Sequence, residues 1–176
     1  MTLGFALAAL AGCAGAPEEE AAALGLVKGF AGVVVADEPR AAVLGRDILG
    51  IGGNAADAAT TMYFAMTVTY PSRVGLGGGG VCVIFDRGDR TAEALQFLPR
   101  ASGEHGVVPQ GARAMAALHA RHGLMRWEPL LSTPEALARF GHPISRAFAR
   151  DLAAAAERIA ANPEMARIFR NNAGAL

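Results

Sequence analysis

The sequence predicts a mixed α/β chain of the α+β kind, a sheet hairpin set among helices, and three observations carry that prediction. Val81-Cys82-Val83-Ile84-Phe85 is a continuous apolar run that the turn Arg87-Gly88-Asp89-Arg90 returns as an alternating run, Thr91 to Phe97, the pattern of two antiparallel strands. Before and after it lie segments of helical periodicity, punctuated by Asn, Ser, Gly and Pro at capping positions. Of the 176 residues, 52% are hydrophobic and 18% charged, enough to bury a core and too apolar for a disordered chain. The 16 Lys and Arg balance 16 Asp and Glu and are scattered along the chain, so no basic stripe exists to track a phosphate backbone and nucleic acid is excluded as a partner. The 2 cysteines, Cys13 and Cys82, lie in unlike contexts, which excludes a disulfide scaffold.

The elements follow in order. Met1 to Pro17 is apolar and then small, and Leu10-Ala11-Gly12-Cys13 resembles the lipobox of bacterial lipoproteins, whose cysteine takes the lipid. Residues 1–20 therefore read as a secretory leader with Cys13 as lipidation site, and Glu18-Glu19-Glu20 as the start of the mature part. No Lys or Arg precedes Cys13, so an ordinary Ala/Leu/Gly stretch stands as the alternative. The stretch is too short to span a bilayer. Val33-Val34-Val35-Ala36 reads as a buried strand closed by Asp37, Glu38 and Pro39. Arg40 to Leu49 follows as a helix stopped by Gly50, Gly52 and Gly53. Asn54 caps the next helix, Ala55 to about Thr69, with Asp57 in its positively polarised first turn. That helix carries Ala, Met, Tyr, Phe and Val on every side and should be buried nearly all round, ending before Pro71.

Val81 to Phe85 has the composition of a strand covered on both faces. Pro99 to Pro109 reads as a loop. The rest is helical: Ala112 to His122 stopped by Gly123, a short piece from Trp127 to Leu131, and a separate helix beginning at Ser132-Thr133-Pro134-Glu135, where Ser132 or Thr133 is the cap. Gly141 and Pro143 end it. Ser145 caps a helix running to about Ala161, and Asn162-Pro163-Glu164 starts a last one.

Several chemical motifs compete for attention. Gly75-x-Gly77-x-x-Gly80 matches the dinucleotide fingerprint literally, but that motif needs a strand before and a helix after the glycines, and here the order is reversed. Consecutive glycines from Gly77 to Gly80 mark either a flexible lead-in to the strand or a place where another backbone or a ligand presses on the main chain. His119 and His122, three apart on a helix, could ligate a metal, but no Cys or carboxylate of suitable spacing joins them, and no metal is expected. His142 beside Pro143 reads as structural and His105 as a loop residue. Cys82 reads as a small core residue, since burial raises a thiol pKa and removes reactivity.

Gly52-Gly53-Asn54-Ala55-Ala56-Asp57-Ala58-Ala59, then Pro71-Ser72-Arg73-Val74-Gly75-Leu76-Gly77-Gly78-Gly79-Gly80 and the hairpin, resemble the amino-terminal part of the γ-glutamyltransferase (glutathione hydrolase) family. Gly123, Trp127-Glu128, Leu131 and Gly141-His142-Pro143-Ile144-Ser145 also look like that family's large subunit, and the resemblance runs from about Val33 to Phe169. It implies an amino-terminal-nucleophile (Ntn) hydrolase: a four-layer αββα fold, partial here, made as a precursor that cuts itself to expose a threonine. Such a threonine uses its own α-amine as general base.

The family's nucleophile opens a Thr-Thr-His stretch, which this chain does not contain; its one Thr-Thr pair, Thr60-Thr61, lies in a helix and precedes Met62. Residues 33–176 thus read as an incomplete domain, an amino-terminal piece of the large subunit, without turnover alone. The resemblance implies a γ-glutamyl substrate such as glutathione, a small-subunit half as partner and no cofactor, while the lipobox-like leader adds a periplasmic or outer-membrane-associated location in a bacterium with a tether at Cys13. In the family an arginine just after the second hairpin strand holds the substrate α-carboxylate. Here Leu98 occupies that place in Gln96-Phe97-Leu98-Pro99-Arg100, and Arg100 is the candidate that could reach the same spot; a solvated surface arginine is the alternative. A non-catalytic truncated homologue or scaffold, and an Ntn acylase of other specificity, are the competing functions.

Overall fold

Proline at the first helical position and a carboxylate just ahead of it start the chain's first helix. The computed structural model describes residues 32–101 and 106–169. Helix α1 (Pro39–Gly50) is capped by Glu38, whose buried carboxylate accepts from the Ala41 amide at 2.9 Å. The predicted strand at Val33–Ala36 is absent: the segment pairs with no strand among the described residues, and Val33 and Val35 are 89% and 84% exposed. A β-branched run becomes a strand only where a second backbone completes its ladder. Val34 instead packs where α1 crosses the next helix; a Cβ on Gly45 would stand 2.8 Å from its Cγ1.

Helix α2 (Ala55–Thr69) is the centre of the molecule, touching α1, α3 (Gly111–His122) and α4 (Trp127–Phe140). After Ala55 every residue of it is buried or half-buried, as its all-round apolar composition predicts. Thr60 and Thr69 settle their hydroxyls on the carbonyls one turn back, Ala56 at 2.8 Å and Ala65 at 3.0 Å.

Strands β1 (Val81–Asp86) and β2 (Thr91–Gln96) form the expected antiparallel hairpin, registered Val81↔Gln96 through Asp86↔Thr91. Its inner face, Cys82, Ile84 and Leu95 with Phe97 just beyond, packs on Ala56, Ala114, Met115 and Leu118 of α2 and α3. The outer face is bare: Val81, Val83 and Phe85 are 59%, 72% and 63% exposed. The expectation of cover on both faces is therefore corrected, because a run of apolar residues records the need for cover and not its source. The stretch read as a loop also carries a short ladder, β3 (Arg100–Ala101) with β4 (Val107–Val108).

A second correction concerns α4, one continuous helix where two were expected. Pro134 sits inside it and Ser132 is not a cap, since its hydroxyl donates to the Pro129 carbonyl at 2.8 Å. Pro134 has no N–H to give the carbonyl four residues back. Thr61 replaces that donor, its hydroxyl reaching the Leu130 oxygen at 3.0 Å from α2. The helix expected from Ser145 to Ala161 is instead interrupted at Ala155, giving α5 (Arg146–Ala154) and α6 (Ala156–Ala160), before α7 (Pro163–Phe169). Ser145 caps α5 as predicted, accepting from the Phe148 amide at 3.2 Å. Tyr70, Phe148, Leu152 and Ile159 join these helices to the end of α2.

Candidate functional site

The Gly52–Asp57 motif works as a bracket. Gly52 takes a positive φ of 98°, and a Cβ on Gly53 would stand 2.9 Å from the Ile48 carbonyl oxygen and 2.8 Å from the Met125 sulfur, so neither position tolerates a side chain. Asn54 Oδ1 accepts from the amides of Ala56 and Asp57 at 3.0 and 3.1 Å, while its Nδ2 donates to the His122 carbonyl. Asp57, fully buried, accepts from Asn54 N at 3.0 Å, Leu124 N at 3.1 Å and Met125 N at 3.2 Å. The start of α2 thereby holds the turn between α3 and α4, and through it the position of α3.

The far end of α3 faces the corner where β2 leads into β3. There the glycine run does what its density suggested: a Cβ on Gly79 would come within 3.1 Å of Leu98 Cα and 2.7 Å of Pro99 Cδ, so only glycine lets the two backbones approach. The stretch carrying Leu98, Pro99 and Arg100 is thus seated against the 77–80 segment. Between that corner and α3 lies an open hollow of about 380 Å³, lined by Leu98 and Arg100 from one side and by Gln110, Arg113, Ala114 and Ala117 from the other. Arg100 is exposed, and it pairs with no carboxylate among the described residues. Leu98 is half exposed in the same hollow.

The other sequence candidates fall elsewhere. Cys13 and His105 lie outside the described residues. His119 bonds the Met125 carbonyl at 2.8 Å, with Asp57 Oδ1 3.7 Å away and its ring edge-on to Trp127; His122 bonds Glu93. Carboxylates do join these histidines, contrary to the reading from spacing, but one to each, and no group of three or more His, Cys, Asp or Glu among the described residues could hold a metal. His142 hydrogen-bonds the Val68 carbonyl at 3.3 Å and serves packing. Cys82 is half-buried on the inner hairpin face, and desolvation pushes its thiol pKa up, which disfavours the thiolate. Arg73, from the glycine-rich motif, pairs with Asp151 at 3.0 Å, and this guanidinium, with the Ser72 hydroxyl, holds the Asp151 carboxyl below its ordinary value.

Fold and motifs together define an α/β chain of the Ntn-hydrolase transpeptidase type. The structure is similar to the γ-glutamyltranspeptidase of Helicobacter pylori, with a TM-score of 0.76 at 26% identity over 82% of this chain and 48% of that one. The Gamma-glutamyltranspeptidase family model matches residues 41–107 and 92–176, and the chain belongs to that family. Its relatives include the acylase ACY 1 proenzyme of a Pseudomonas species, 33% identical over 84% of this chain and 28% of the relative. Another is glutathione hydrolase proenzyme 2 of Schizosaccharomyces pombe, 29% identical over 82% and 25%. The chain spans about a quarter of the length of these curated relatives. No described helix is long and apolar enough to cross a membrane.

Sequence reading missed Gln110 and Arg113, which line the hollow from α3. Their spacing along the helix is a signal of a shared face, but nothing local says that the face meets the corner after β2.

Proposed function

We propose that residues 33–176 are the amino-terminal part of the large subunit of a γ-glutamyl peptide hydrolase or transferase of the glutathione hydrolase type. The observation that carries this reading is the hollow beside Arg100, placed directly after β2 in a chain of this family. Arg100 receives the α-carboxylate of the γ-glutamyl group with a planar, two-pronged donor, in place of an arginine where Leu98 stands. The nucleophile is a threonine outside the chain, activated by its own α-amine. It belongs to a small-subunit half that also covers the bare face of Val81, Val83 and Phe85. Residues 1–20 act as a lipoprotein leader region cleaved ahead of Cys13, which stays on the protein as the lipid acceptor that tethers it at a bacterial outer membrane or in the periplasm.

An acylase of different substrate specificity is the second reading, favoured by Leu98 at the family's arginine position and by the likeness to the acylase ACY 1 proenzyme. A chromogenic γ-glutamyl amide tests both. The chain alone should release nothing, and the protein continued through a Thr-Thr-His stretch should release product. In that longer protein Arg100→Ala should raise KM about ten- to a hundredfold, the worth of a charge-assisted pair, and Arg100→Lys should also raise it, by less, since a point charge replaces the planar fork. Turnover by the isolated chain, or variants with unchanged KM, would refute the assignment.

A further inference from the structure

Arg113 lies on the first turn of α3, on the stripe Gln110, Arg113, Ala114 and Ala117 that faces the hollow. Its companion two turns on, Arg121, is paired with Glu93 of β2 at 2.9 Å. Arg113 has no such partner among the described residues, yet it lines the same hollow as Arg100. Two guanidinium groups lining one hollow, with no carboxylate paired to either among the described residues, make it a place that favours an anion. The surroundings add to the positive field: the first turn of α3 contains no acidic residue, and its N-cap, Gln110, makes no side-chain hydrogen bond to the free amides. Those amides carry the positive end of the helix dipole.

We infer that Arg113 is a second carboxylate-binding residue, closing a two-armed clamp with Arg100 on acyl donors whose acyl chain ends in a free carboxylate. The inference rests on the hydrolase reading above for its substrate and extends it by a residue that sets specificity. Arg100 approaches from the strand corner and Arg113 from the helix, so the carboxylate is held from two sides and not by one side chain alone. Leu98 then forms the apolar wall against which the acyl methylenes rest. The clamp reads only the carboxylate, so a glutaryl group satisfies it as well as a γ-glutamyl group.

The test uses the protein continued through its nucleophile, with a γ-glutamyl amide and its α-methyl ester as substrates. Arg113→Ala should raise KM for the free acid about tenfold or more with kcat within about twofold, and leave the ester unaffected, as expected for loss of a charge-assisted contact to the acid. Arg113→Lys should recover part of the loss. Equal losses on acid and ester, or an unchanged KM on both, would overturn the inference. Calorimetric titration with glutarate separates the clamp from the activity. Arg113-dependent glutarate binding in a protein that turns over no γ-glutamyl amide would leave the clamp standing and the proposed function refuted. Glutarate binding that Arg113→Ala does not weaken refutes the clamp.

Discussion

Replacing Asp57 by Asn tests whether the Gly52–Asp57 motif is the bracket that positions α3. The carboxylate is fully buried and accepts three backbone N–H groups, those of Asn54, Leu124 and Met125, at 3.0 to 3.2 Å. Asparagine is nearly isosteric, so no cavity opens; what changes is that one acceptor oxygen becomes a donor and the charge is lost. A hydrogen bond to a charged group is worth about 1.5–3 kcal/mol against about 0.5–1.5 for a neutral one. Over three bonds the difference comes to roughly 3 kcal/mol, a large share of the 5–15 kcal/mol that holds an ordinary domain together. For a chain of this size that corresponds to a fall in Tm of about 6–12 °C. Thermal unfolding measures the global effect. Amide exchange at Leu124 and Met125 measures the local one, and both protons should lose protection together, because they share the same acceptor. A Tm lowered by less than about 2 °C, with unchanged exchange at those two amides, would show that the Asp57 arm of the bracket contributes little to holding α3.

Three further outcomes are expected. Thr61→Val leaves the Leu130 carbonyl that Pro134 cannot serve without a donor, so it should cost about 1–3 kcal/mol; adding Pro134→Ala restores a donor within the helix, and the urea midpoint of the double variant should exceed that of Thr61→Val, whereas strictly additive losses would refute the pairing. The Asp151 carboxyl is held below its ordinary value by the Arg73 and Ser72 hydrogen bonds; its folded pKa lies below the unfolded one, so its stabilisation is present above the unfolded carboxylate range and vanishes as pH falls through the folded pKa. Arg73→Ala should therefore lower Tm at neutral pH and match the parent in strong acid, and a gap that persists in strong acid would contradict the linkage. The bare hairpin face of Val81, Val83 and Phe85 should make the isolated chain self-associate, and Val83→Lys should shift its sedimentation toward monomer; a parent chain already monomeric would show that the face needs no cover.

Local chemistry was legible at many places where one residue acts on its near neighbours, though the Glu38 cap of α1 and the bond from the Ser132 hydroxyl back to the Pro129 carbonyl were missed. Asn54 caps α2 with Asp57 in its first turn, Gly123 stops α3, Ser145 caps α5, and the four-residue turn after Asp86 folds the hairpin. The errors share a different cause. Val33–Ala36 has strand composition but no ladder partner, and Pro134 looked like a helix start because its broken hydrogen bond is repaired by Thr61, which lies far away in sequence. The site divides in the same way. Arg100 could be named because the family resemblance expects an arginine just after the second hairpin strand, and Arg113, which no such motif marks, could not.

The sequence by itself determined the family motifs, the hairpin and the run of helices on either side of it, the caps at Asn54 and Ser145, and the glycines where backbones must touch. These depend on φ preference, hydrogen bonding within a turn, and apolar periodicity, all of which act within a few residues. Only the tertiary structure decided that Asp57 holds the α3–α4 turn, that Thr61 supplies a bond Pro134 withholds, and that Arg100 and Arg113 line one hollow. Each of these joins residues separated by a dozen or more positions, and such contacts are set by how packed elements cross, which no local preference encodes.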